Sequence, residues 1–129
     1  MKTTFRAYVS YGKLDTVEYE VDVDISEEEY RRVVESAKTH MRFSEDPDVG
    51  DIYEKAYHAA LRLDINVLRD LPEELNEKMT YHLGINKNES EKREYTDDDI
   101  AQMLKSEGSR CIGYPEEMED LIDNEKELK

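Results

Sequence analysis

The sequence predicts an α+β fold: an N-terminal antiparallel β-hairpin packed on a mostly helical remainder of about five helices. Two observations carry this expectation. Residues 4–11 and 17–25 alternate apolar and polar side chains, the two-residue period of half-buried strands. From Ser26 onward the apolar spacing lengthens to three and four residues, and helix-start and helix-stop residues recur along the chain. Strands followed by a run of helices is the order of an α+β domain.

In the first strand Phe5, Ala7, Val9 and Tyr11 share one face, and Thr4, Arg6, Tyr8 and Ser10 the other. In the second, Val17, Tyr19, Val21, Val23 and Ile25 alternate with Glu18, Glu20, Asp22 and Asp24. Residues directly opposite in an antiparallel pair lie on the same face. Both apolar sets fall at odd positions, so paired numbers must sum to an even value. That excludes a two-residue loop at Gly12-Lys13 and favours a loop of three or five residues. In either register Arg6 lies opposite an acid, Glu20 or Asp22, which is expected to be an exposed pair worth no more than about 1 kcal/mol.

Ser26 and Glu29 form a capping-box signature. The helix they open carries Tyr30, Val33, Val34, Ala37 and Met41 on one stripe and is expected to end near Phe43. The next start falls near Pro47, with Asp46 as its cap, or near Asp51. The helix that follows runs to about Leu63 or on toward Asp70, and its apolar residues wrap most of its circumference, as in a central helix. Pro72-Glu73-Glu74 and Pro115-Glu116-Glu117 read as two further starts, since proline suits the first helical position and carboxylates the positive end of the helix dipole. They predict helices over 72–83 and 115–127, with Gly84 stopping the first; a short strand at 79–83 is the alternative there. Residues 86–95 are polar and read as a linker. Thr96 and Asp99 cap a short helix bearing Ile100, Met103 and Leu104, which Gly108 ends. The hairpin and first helices make a core over 1–85. An acidic helical C-terminal segment, 86–129, belongs to the same single domain, as suits a chain of 129 residues.

Charge bounds the function. Of the residues, 40% are charged and 37% hydrophobic, and the formal net charge is −15. That excess opposes direct contact with nucleic-acid phosphates or anionic membranes and is compatible with solubility, with a basic protein partner or with a cation ligand. The single cysteine, Cys111, permits no internal disulfide; with no apolar signal region near Met1 and no apolar run of membrane-spanning length, it points to a cytoplasmic protein.

No local motif supplies chemistry. His40, His58 and His82 lack metal-ligand spacing, and there is no Cys-x-x-Cys, phosphate loop or nucleophile elbow. Asp46, Asp48 and Asp51 fail the calcium-loop pattern, because position six from Asp46 is Asp51 and position twelve is Tyr57. Arg110 beside Cys111 would favour a thiolate, but no general base lies nearby in sequence. No cofactor, metal site or catalytic residue is therefore expected.

Two acidic surfaces are the candidate partner-binding residues: Glu18, Glu20, Asp22 and Asp24 on the second strand, and Glu116, Glu117, Glu119, Asp120 and Asp123 on the last helix. The plain explanation is a solvated face whose like charges keep a sheet edge from pairing with other copies. The functional one is a surface that docks on a basic partner. The expectation is a non-catalytic acidic protein-interaction module. Nine tyrosines against two phenylalanines and no tryptophan suit wet contact surfaces. Homodimerisation is one way to cover the hairpin's edges. A narrower alternative is a nucleic-acid mimic that inhibits a basic nucleic-acid-binding protein, of the kind phage and mobile elements carry. One strand with a carboxylate every ~6.7 Å reaches only about a quarter of the charge density of duplex DNA, so mimicry needs both acidic surfaces together. The remaining alternative is an enzyme whose histidine and carboxylate meet only in space.

Overall fold

A computed structural model of the chain describes residues 2–11, 15–39 and 42–119. Two long strands, β1 (Lys2–Tyr11) and β2 (Asp15–Asp24), open an α+β fold. The helices α1 (Glu27–Lys38), α2 (Gly50–Arg69), α3 (Pro72–Leu83), α4 (Lys87–Glu91) and α5 (Asp97–Glu107) follow, and a third strand, β3 (Gly108–Gly113), returns to the sheet. The sheet is antiparallel throughout, in the order β2-β1-β3.

The hairpin register obeys the parity argument. Phe5 lies opposite Val21, Arg6 opposite Glu20 and Tyr11 opposite Asp15, which leaves the three positions 12–14 between the strands. Phe5, Ala7, Val9, Val21 and Val23 are buried, while Glu18, Glu20, Asp22 and Asp24 are exposed. Both capping boxes form: Ser26 and Glu29 exchange side-chain-to-backbone bonds at the start of α1, and Thr96 and Asp99 do so at α5. Asp46 caps the turn that leads into α2, its carboxylate accepting from the Asp48 amide at 3.0 Å. Gly84 ends α3 with φ 66°, the left-handed conformation that glycine adopts without a Cβ penalty.

α2 is the central helix. Its Ile52, Ala56 and Ala60 join a first buried cluster with Phe5, Val21, Val33, Phe43, Ile112 and Met118. Its Leu61, Ile65 and Leu68 join a second with Leu75, Met79, Ile100, Met103 and Leu104. Ala56 and Ala60 are fully buried where the helix packs on the sheet, and the small side chains let the backbones approach.

Several expectations are corrected. The third strand is the main one: Gly108 ends α5, and the chain then runs straight into β3, where Ile112 is buried opposite Ala7. α1 stops at Lys38 rather than near Phe43, because Thr39 closes it on the Ser36 carbonyl. Phe43 then turns into the core, its ring 5.6 Å from Phe5 and 5.1 Å from Tyr114. Residues 86–95 are not a bare linker: Asn86 caps α4, and Ser90 is buried with its hydroxyl bonded to Asn76 and Tyr95. The strand alternative at 79–83 fails because Met79 is buried and Tyr81 exposed on a continuous helix. Of the helix expected over 115–127, the described part is a 3-10 turn, Glu116–Met118, anchored by buried Met118 and Pro115. The rest, with Asp120 and Asp123, lies outside the described residues. Among the described residues no helix is long and apolar enough to cross a membrane.

Candidate interaction surface

The outer face of the sheet is built from the even-numbered residues of the hairpin. Thr4, Arg6, Tyr8 and Ser10 of β1 stand between Asp22, Glu20, Glu18 and Thr16 of β2 and, from row six on, Gly113, Cys111 and Ser109 of β3. A Cβ at Gly113 would come within 3.1 Å of the Tyr8 ring, which would have to shift by a few tenths of an ångström to admit it.

Arg6 organises this face. Its guanidinium lies 4.0 Å from Glu18 and 3.9 Å from Glu116, and it donates to Glu119. The expected exposed pair is thus replaced by a cation only 19% exposed that holds several carboxylates. The hydrogen bond to Glu119 raises the Arg6 pKa further above its ordinary value, so the charge is permanent. Glu18 belongs to the first predicted acidic surface, and Glu116 and Glu119 to the second. The fold therefore brings the two surfaces together around one arginine. Glu117 points elsewhere and accepts from the Tyr30 hydroxyl at 2.8 Å, tying the 3-10 turn to α1. Asp22 accepts from Thr4 at 2.6 Å and faces Lys2 at 3.9 Å. Glu18, Asp22, Glu116 and Glu119 keep roughly half or more of their side-chain surface in solvent, at 57, 49, 76 and 49%.

Two of the polar constellations away from this face join charged or titratable side chains of separate elements. Arg110 of β3 points into the protein, its side chain fully covered, and meets Asp64 of α2 at 2.6 Å. The same Asp64 oxygen accepts from the Tyr19 hydroxyl of β2 at 2.9 Å. Burial, reinforced by the adjacent Asp64 carboxylate, pushes the Tyr19 pKa up, so the phenol stays protonated as a donor. This trio clamps β2 and β3 onto α2. The second constellation is His82 of α3, whose Nδ1 lies 3.1 Å from Glu107 of α5. A small depression of about 140 Å³ beside it is lined by His82, Met79, Arg93, Tyr95 and Asp99. That is below the roughly 300–1,000 Å³ usual for a small-molecule site. A broader surface hollow of about 1,750 Å³ lies over α3 and α4, with acids and bases intermixed along it.

His58 is exposed on α2 with its ring against Tyr57, and His40 lies outside the described residues. Cys111 is exposed on the outer face, opposite Tyr8. No group of three or more metal-ligating side chains occurs among the described residues. Sequence reasoning missed Asp64, Tyr19 and Arg110 as a unit and Glu107 as the partner of His82. No local spacing connects them, because each pair bridges separate elements.

Comparison with protein families, curated proteins and solved structures finds no match to this chain. The physical character of the surface is therefore the guide to function.

Proposed function

We propose that this protein acts by contact, as a non-catalytic acidic interaction module whose partner is a protein with a basic surface. The observation that carries the reading is the convergence of Glu18, Glu116 and Glu119 on Arg6, which merges two separate acidic stretches of the chain into one face. Arg6 absorbs part of that charge, but Glu20, Asp22 and Asp24 extend the face along β2 and remain exposed. Six carboxylates against Arg6, Lys2 and the terminal ammonium that lowers the Asp24 pKa leave an excess of negative charge, suited to steering a cationic partner.

The narrower reading, mimicry of nucleic acid, draws support from the same merging of surfaces. The broader one is preferred because the face carries fewer charges per length than a nucleic-acid strand, and Arg6 sits at its centre. The catalytic alternative rests on His82 and Glu107. A general base needs a bound substrate within hydrogen-bond reach; His82 lines the small depression and Glu107 the broad surface hollow over α3 and α4, so the two side chains do not line one pocket together.

The test is capture of partners from the source organism by the intact protein and by a variant carrying Glu18→Lys, Glu20→Lys, Asp22→Lys and Asp24→Lys. The wild type should retain a basic protein that elutes as salt is raised, and the variant should lose it. Retention of the same partner by the variant would remove the acidic face from the account. Displacement of that partner by duplex DNA would select the mimicry version.

A further inference from the structure

We propose that the outer edge of β2 accepts an extended, basic segment of the partner protein as a fourth strand of the sheet. The inference rests on the interaction reading above and goes beyond it by stating the partner's backbone conformation and residue pattern.

The backbone comes first. In the order β2-β1-β3, the ten-residue β2 has a strand neighbour on one side only among the described residues. On the far edge of β3, one group is already partnered: the Ile112 amide donates to the Tyr53 hydroxyl at 3.4 Å. A strand edge presents alternating N–H and C=O groups, and a second extended backbone is the partner that satisfies them in series.

The side chains then select the occupant. An added strand shares faces with β2, position by position. On the outer face it would meet Glu18, Glu20, Asp22 and Asp24 at every second residue, so those positions call for Lys or Arg. On the inner face it would run beside Val17, which is 55% exposed although it belongs to the apolar set of the strand. The Tyr19 hydroxyl bonds the Ala60 carbonyl and Asp64, which sets α2 against this end of β2. Leu63 and Val67, in the same part of α2, are 38 and 49% exposed. Apolar side chains between the cations would meet Val17. The matching pattern is thus an extended segment of alternating basic and apolar residues.

Other occupants fit less well. A second copy of β2, in any antiparallel register that keeps the apolar faces together, sets Glu and Asp opposite Glu and Asp, which is destabilising. Residues 120–129 of the chain itself carry four acids and two lysines, the wrong balance for this edge.

The probe is a ten-residue peptide alternating lysine and valine. Its controls are a scrambled peptide with the lysines contiguous, and two versions N-methylated on one or the other set of alternate backbone amides. Binding is read by calorimetry and by amide exchange of the full chain. The alternating peptide should bind in a salt-sensitive way and slow exchange at alternate amides between residues 17 and 23. One N-methylated version should lose at least about tenfold in affinity while the other keeps it, because only one set of amides faces β2. Glu20→Lys with Asp22→Lys should weaken the alternating peptide by a similar factor. Equal binding of the scrambled and both N-methylated peptides, with β2 exchange unchanged, would overturn strand addition while leaving a general acidic contact in place. Absence of salt-sensitive binding by every peptide would overturn the acidic contact as well. A dimer of the free protein that buries β2 would assign the edge to self-pairing and overturn the proposal.

Discussion

Glu29 shows how much one side chain can serve. It closes the capping box by accepting from the Ser26 amide at 3.0 Å, and its other oxygen accepts from Lys55 of α2 at 2.8 Å. The Lys55 ammonium first, and the Ser26 amide second, lower its pKa to about 2. The sign of the consequence follows from linkage. An unfolded Glu titrates near ~4.3, so the native carboxylate contributes stability above that pH and loses it as pH falls toward about 2. Urea midpoints measured from pH 5 to pH 2 should fall less steeply in Glu29→Gln than in the wild type. An acid limb unchanged by the substitution would show that the carboxylate is not held in this way. Arg6 plays the comparable part on the outer face. Its role is positional: it sets where the carboxylates from β2 and from the turn after β3 come to lie.

The docking of β3 on α2 depends on a buried charge. Arg110 stands on the inward face of β3 opposite Val9, and its charge is countered by Asp64, which also holds Tyr19 of β2. Removing one member of a buried ion pair strands the other, at a cost of about 3–5 kcal/mol, whereas replacing both with apolar groups of similar volume is often close to neutral. Arg110→Ala should therefore destabilise the fold by about 3–5 kcal/mol in urea titration, and Arg110→Met combined with Asp64→Leu by much less. A loss under about 1 kcal/mol for Arg110→Ala would mean that water reaches the pair and that β3 is held by Ile112 and its ladder alone. α2 is suited to its central place because its two sides differ. Ala56 and Ala60 let the sheet approach closely, while Leu61, Ile65 and Leu68 fill the second cluster against α3 and α5.

Over the whole molecule, the charge on which the proposed contact relies works against the compact state. At a net charge of −15, carboxylates outnumber their counter-charges, and ion pairs such as Arg69–Asp97 and Arg32–Asp51 offset only part of the repulsion. Raising ionic strength from 0.01 to 0.15 M shortens the screening length from about 30 to about 8 Å. The thermal midpoint should rise over that range, while affinity for a basic partner should fall. The two opposite trends, followed by calorimetry and by binding, separate self-repulsion from recognition. A midpoint that falls with salt would mean that the ion pairs outweigh the excess charge.

The sequence by itself determined what is written in short repeats. The two-residue alternation of β1 and β2 settled strand identity, inward faces and the parity of their register. Ser26 with Glu29, Thr96 with Asp99, and Gly84 marked helix ends, because capping is satisfied within four residues of backbone. Only the tertiary structure decided the rest. Gly108–Gly113 carries an inward arginine and one inward isoleucine, a pattern with no strand signal until Asp64 and the β1 edge are in place to receive it. The acidic face was legible as two stretches, but their union was not. It forms because β3 carries the turn at 116–118 back beside Arg6, and a contact between distant parts of the chain leaves no trace in local spacing.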